Sequence, residues 1–188
     1  MASTPRISER LDRAAAELAD EIGFERLTVA AVARRLGVKD PSLYAHIANV
    51  HELRTRVTLL ALAEMADRAA AALAGRAGRD ALAALGGTYR DYAREHPGRY
   101  AASRAPLDAE TAARSAAPRH SELARAVLRG YALPEPDATD AVRMLGATFH
   151  GFTSLEAASA FAHTPRPTEA SWTWTLDALD RALRTRAQ

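Results

Sequence analysis

Apolar residues recur at three- and four-residue intervals from the start of the chain. Ile7, Leu11, Ala14, Leu18 and Ile22 fall on one helical face, and Gly23 offers a left-handed stop behind them. Thr28 can cap a second helix whose inner face is Val29, Val32, Ala33 and Leu36, and Gly37 ends it after about two turns. Asp40 followed by Pro41 reads as N-cap and first helical position of a third short helix carrying Ser42, Leu43, Tyr44 and Ile47. Asn49 with Glu52 three residues on makes a capping-box pattern, opening a fourth helix that runs unbroken over residues 49–74. Beyond it, Gly75, Gly78, Pro97, Pro106, Pro118, the pair Pro134 and Pro136, and the pair Pro165 and Pro167 interrupt the periodicity and mark about five further helices. One spans residues 137–161; the last, over 168–184, carries Trp172, Leu176, Leu179 and Leu183 on one face. Gly86 and Gly87 lie together inside a helix, at about 1 kcal/mol each relative to Ala, which predicts a close approach or a kink. No segment alternates with period two, so the fold class is all-α, with a boundary near residue 50 crossed by one shared helix.

Composition narrows the chemistry. The 188 residues contain no cysteine, which excludes disulfides, thiolate metal ligation and a cysteine nucleophile. Lys39 is the only lysine beside many arginines, and alanine fills about a quarter of the chain, a pattern of genomic base composition rather than of partner choice. A net charge of +2 is far from the footprint of a nonspecific nucleic-acid binder, so any DNA-binding surface must be local. Arg6, Arg10 and Arg13 are followed by no apolar leader region, and no apolar run approaches the ~20 residues of a membrane span, so a cytoplasmic protein without membrane partners is expected.

Two short helices joined through Leu36-Gly37-Val38-Lys39-Asp40-Pro41 have the spacing of a helix-turn-helix, whose second helix enters the major groove. Leu27-Thr28, Val32-Ala33, Leu36-Gly37-Val38, Ser42-Leu43-Tyr44, His46 and Asn49 together resemble the N-terminal domain of TetR-family transcriptional regulators. The resemblance implies a DNA-binding domain over residues 1–50 and a helical effector-binding and dimerisation domain over 51–188. It further implies a homodimer on a palindromic double-stranded operator. Within the motif, Pro41 and Ser42 open the recognition helix, where side chains reach base edges, and Lys39 and Asp40 flank the same end. Tyr44 and His46 can donate to phosphates, and Thr28 can bring a hydroxyl and a helix N-terminus to another. Arg34 and Arg35 add local charge or form a solvated face. Family members often carry a lysine after the equivalent of Asn49; this chain has Val50 and His51 there. His51, Arg54 and Arg56 are the candidate replacements for that phosphate contact, and a shallow salt dependence is expected.

Phe149-His150-Gly151, with Phe152, Leu155, Glu156 and Phe161, resembles the Trp-His-Gly type of TetR C-terminal domain, Phe149 standing for the tryptophan. Gly146, Ala147, Gly151, Ala158 and Ala160 allow close helix approach, within the chain or against a second subunit. Tyr89, Tyr92, His96, Tyr100, Met144 and Phe152 are the candidate contacts to a small-molecule effector, a hydrophobic one in view of the Ala-rich surroundings; each also suits a plain core. The six histidines show neither metal-site spacing nor a triad context, and no Gly-x-Ser-x-Gly, phosphate loop or dinucleotide fingerprint is present, so no catalytic residue, metal or cofactor is expected. The reading is a ligand-released repressor. Its alternatives are a helical ligand-binding or interaction module that has lost DNA binding and, third, a helical enzyme.

Overall fold

A computed structural model describes residues 7–186, with Ile7 placed by its backbone alone; Arg6 lies outside them. Among the described residues there are ten α-helices, two single 3-10 turns and no strand. The chain divides into two compact units: residues up to 64 with 95–116, and residues 65–94 with 117 onward. No helix of the described residues is long and apolar enough to cross a membrane.

The first unit is built from α1 (Ile7–Ile22), a 3-10 turn Phe24–Arg26, α2 (Val29–Leu36), α3 (Asp40–Tyr44) and the opening turns of α4 (Val50–Leu73), followed by α6 (Pro97–Ala102) and α7 (Ala109–Arg114). Its core is the set of periodic positions: Leu11, Leu18, Leu27, Val32, Leu43, Ile47, Leu53 and Val57 are all buried. Local chemistry sets the helix ends. Gly37 takes a left-handed φ of 68°, and the Val38 N–H then reaches back to the Ala33 carbonyl. The capping box at α4 forms in a variant way: Asn49 Oδ1 accepts from the Glu52 N–H at 2.9 Å, while Glu52 reaches past Asn49 to the Ala48 N–H at 2.7 Å. Asp40 is the first residue of α3 rather than its cap. Lys39 holds the cap position without a side-chain bond, so the acid sits one place inside, favourably placed against the helix dipole.

Residues 95–116 join this unit through a contact that only glycine permits. A Cβ on Gly98 would stand 2.0 Å from the Ala19 carbonyl oxygen, so α6 lies directly on the α1 backbone. Asp20 then gathers α6: it accepts from the Arg99 N–H at 2.8 Å, with Arg99 Nε at 3.0 Å and His96 Nδ1 at 3.2 Å.

The second unit contains the rest of α4, most of α5 (Gly78–Glu95), α8 (Ala117–Leu128), α9 (Asp137–Ala157) and α10 (Thr168–Arg186). Six α-helices follow α4, one more than expected: Pro97 marks the expected break and also opens the short α6 at a first-turn position, and Asp108 caps the short α7. α9 stops four residues before the expected 161: Ser159 turns left-handed, and the Ala160 and Ser159 N–H groups close on the Leu155 and Glu156 carbonyls. Gly86 has the close approach its position demands, since a Cβ there would meet Phe149 at 2.8 Å and Trp172 at 3.0 Å; one on Gly87 would meet nothing within 4 Å. Near Gly86, Arg90 is only 3% exposed and bonds Glu156 at the end of α9 through two 2.8 Å contacts and Glu169 at the start of α10 at 2.7 Å. Its guanidinium also lies over the Phe152 and Trp172 rings.

Gly98→Ala should cost about 2 kcal/mol or more through overpacking, while Gly87→Ala should gain about 0.5–1 kcal/mol from helix propensity. Urea unfolding of both variants checks this, and equal effects would contradict the packing described. Hydrogen bonds from Arg90, aided by Arg94 and opposed by burial, hold the Glu156 carboxyl below its ordinary 4.5. A depressed carboxylate stabilises the fold above the unfolded value and loses that contribution as pH falls. The stability gap between the parent chain and Glu156→Gln should therefore be full at neutral pH and shrink below about 4.5. A gap constant from pH 7 to 3, followed by thermal unfolding, would rule the charge out as its source.

Candidate functional site

The helix α3 is five residues long, and its burial is one-sided. Only Leu43, and Ile47 in the turn behind it, enter the core; Lys39, Asp40, Pro41, Ser42, Tyr44 and His46 are all exposed, Tyr44 to 55%. Thr28 and His51 are exposed as well, so all eight DNA-contact candidates lie on the surface of the first unit. Thr28 Oγ1 accepts from the Ala31 N–H at 3.2 Å, the capping bond that fixes the start of α2. Arg34 has no ion-pair partner among the described residues, whereas Arg35 is held by Glu17 and Glu21 of α1 and serves packing between α1 and α2.

Arg54 and Arg56, two of the candidate replacements for the absent lysine, are committed inside the fold. Arg54 donates to the carbonyls of Glu25 at 2.6 Å and Leu27 at 3.2 Å, fixing the chain just before Thr28. Arg56 donates to the His46 carbonyl at 2.6 Å, Ser8 Oγ at 3.1 Å and Glu52 at 2.7 Å, and so ties the end of the recognition segment to α1 and α4. Glu52 is held below the usual carboxylate range, first by the Ala48 N–H and then by Arg56. These are positioning side chains. The family resemblance offered them as phosphate contacts; only the tertiary path of the backbone reveals the carbonyls they serve.

The effector candidates scatter. Tyr89 lines a cavity of about 150 Å³ between α5, α8 and α9 in the second unit. Met144 lines a different one, of about 560 Å³, with Leu133, Ala141 and Leu183. Tyr92 is fully buried with Arg68 over its ring, and Phe152 packs on Phe161 and Trp172. His96 and Tyr100 belong to the first unit, His96 beside Asp20 and Tyr100 under Arg104. Two residues that sequence reasoning left out of this set, His120 and His150, stand at the cavity with Tyr89: Tyr89 Oη is 2.7 Å from His120 Nδ1, and the His150 ring is edge-on to the phenol at 5.3 Å. The Phe-His-Gly run drew the eye to His150, but nothing local distinguishes His120. No cluster of three or more metal-ligating side chains occurs among the described residues.

Comparison with known proteins agrees with this arrangement. Residues 13–49 match the family described as bacterial regulatory proteins, tetR family, and residues 82–179 match the tetracyclin repressor-like C-terminal domain. The chain is 36% identical over 139 residues to the uncharacterized HTH-type transcriptional regulator Rv0681 of Mycobacterium tuberculosis, covering 73% of this chain but 64% of that protein. It is 34% identical over 149 residues to the uncharacterized HTH-type transcriptional regulator YobS of Bacillus subtilis, covering 79% of this chain and 78% of the relative. Among solved structures, a TetR variant from Acinetobacter baumannii in complex with minocycline shares the fold at a TM-score of 0.72 and 23% identity, over 98% of this chain and 99% of the other. With 34% identity sustained over more than two thirds of both this chain and its Bacillus relative, the protein belongs to the TetR family of transcriptional regulators.

Proposed function

We propose that the protein is a repressor that binds a palindromic operator as a homodimer and leaves it when a small molecule binds. The one-sided burial of α3 carries this reading: an isolated short helix with its polar face outward and its apolar residues inward suits a major groove. Pro41 and Ser42 read base edges, flanked by Lys39 and Asp40; Tyr44, His46, His51 and the α2 N-terminus at Thr28 meet phosphates. For the dimer, Ala147, Gly151 and Leu155 form an exposed line on α9, and Trp174 is 61% exposed on α10. A Cβ at Gly151 would meet nothing within 4 Å, so this face of α9 has room for the close approach of a second copy. Two recognition helices in such a dimer stand about 34–36 Å apart. The Acinetobacter protein of the same fold is found in complex with minocycline, which supports reading this chain as one that answers to a small molecule. An effector releases DNA to the extent that it favours the incompetent state. The helix α4, which belongs to both units, is the element such a change would pass through.

Selection from random duplex DNA should enrich a palindrome with the parent chain and none with the Tyr44→Ala, His46→Ala double variant. Absence of enrichment with the parent would favour a family member that no longer binds DNA. Because Arg56 acts on the His46 carbonyl rather than on phosphate, Arg56→Met should weaken operator binding about tenfold without altering the slope of log K against log salt. A slope shallower by about 0.9 would instead make Arg56 a phosphate contact.

A further inference from the structure

The cavity of about 150 Å³ in the second unit is lined by two kinds of side chain. Leu85, Val142, Leu145 and the Phe149 ring supply hydrocarbon, and Tyr89, His120, Ser121 and His150 supply polar groups. The three aromatic polar groups come from α5, α8 and α9 and hold one another. Tyr89 bonds His120 at 2.7 Å, and both imidazoles stand edge-on to the phenol, at 5.8 and 5.3 Å. No aspartate, glutamate, lysine or arginine lines the cavity. A cationic guest would therefore meet no counter-charge. An anionic one would meet the hydroxyl and ring N–H groups of this polar cluster, which come from three helices.

Size limits the guest further. A cavity of roughly 150 Å³ lined in part by hydrocarbon has room for a benzene-sized body. We infer that this cavity binds a small aromatic monocarboxylate of benzoate size, with its ring against Phe149 and Leu145 and its carboxylate toward His120 and His150. The inference rests on the effector reading above and names the chemical class that effector would have. Phe149 also faces Trp172, at 5.9 Å between ring centroids, so an occupied cavity presses on the same contact that packs α10 against Gly86.

Calorimetric titration of the full chain with benzoate and with benzyl alcohol, its uncharged counterpart, tests the assignment. Benzoate should bind saturably, one per chain, at least tenfold more tightly than benzyl alcohol. His150→Gln should lose at least tenfold for benzoate while changing benzyl alcohol binding less than twofold. Equal binding of the two probes to the parent chain, a comparison that needs no variant, would overturn the acid class and leave an apolar effector site. Binding of neither would overturn both the inference and the effector role of this cavity. The regulator reading is judged separately, by operator selection without any ligand.

Discussion

A five-residue helix cannot hold its own shape in water, because nucleation costs more than so few backbone bonds return. The DNA-facing surface therefore depends on restraint from outside α3. Leu43 and Ile47 anchor it from within, and Arg56 grips the His46 carbonyl from α4 while touching α1 through Ser8. Arg54 does the same for the chain ahead of α2. Both guanidinium groups serve carbonyls, and the residues exposed around them keep their polar groups toward solvent. The division of labour is physical: a guanidinium carries several donors in a fixed fork and can bridge separate segments, whereas a phenol, a hydroxyl or an imidazole presents only one or two.

The second unit solves a different problem. Alanine-rich helices bury little area per residue, so large side chains must be concentrated where helices meet. Gly86 makes this possible by letting Phe149 and Trp172 lie on the α5 backbone, and Arg90, buried beneath Phe152 and Trp172, joins the ends of α9 and α10. A buried cation of this kind is retained only when its charge is fully met, and here two glutamates and two aromatic faces meet it.

Much of this was legible in the sequence, and the limits follow from range. Helix ends fixed by local chemistry, such as Gly23, Gly37 and the Asn49 and Glu52 pair, read correctly because the groups that settle them lie within a few residues. The eight candidate contact residues are all exposed; four of them, Asp40, Pro41, Ser42 and Tyr44, lie on α3, where Leu43 alone turns inward, and the other four lie at or near helix ends. Pro97 breaks the helical run where expected, between Glu95 and the start of α6, but the seating of α6 by Asp20 is a long-range contact that no local signal announces. The pairing of Tyr89 with His120 and His150 had no local signature: these residues lie on three helices, and their meeting is a property of packing alone.

The contact of Gly98 with Ala19 has a consequence for how such a chain can evolve. The first unit is not a contiguous stretch, because it draws residues 95–116 from beyond the first helices of the other unit. No single crossover can exchange one unit and leave the other whole. Change in either unit is thus more readily reached by substitution inside the existing helices than by recombination.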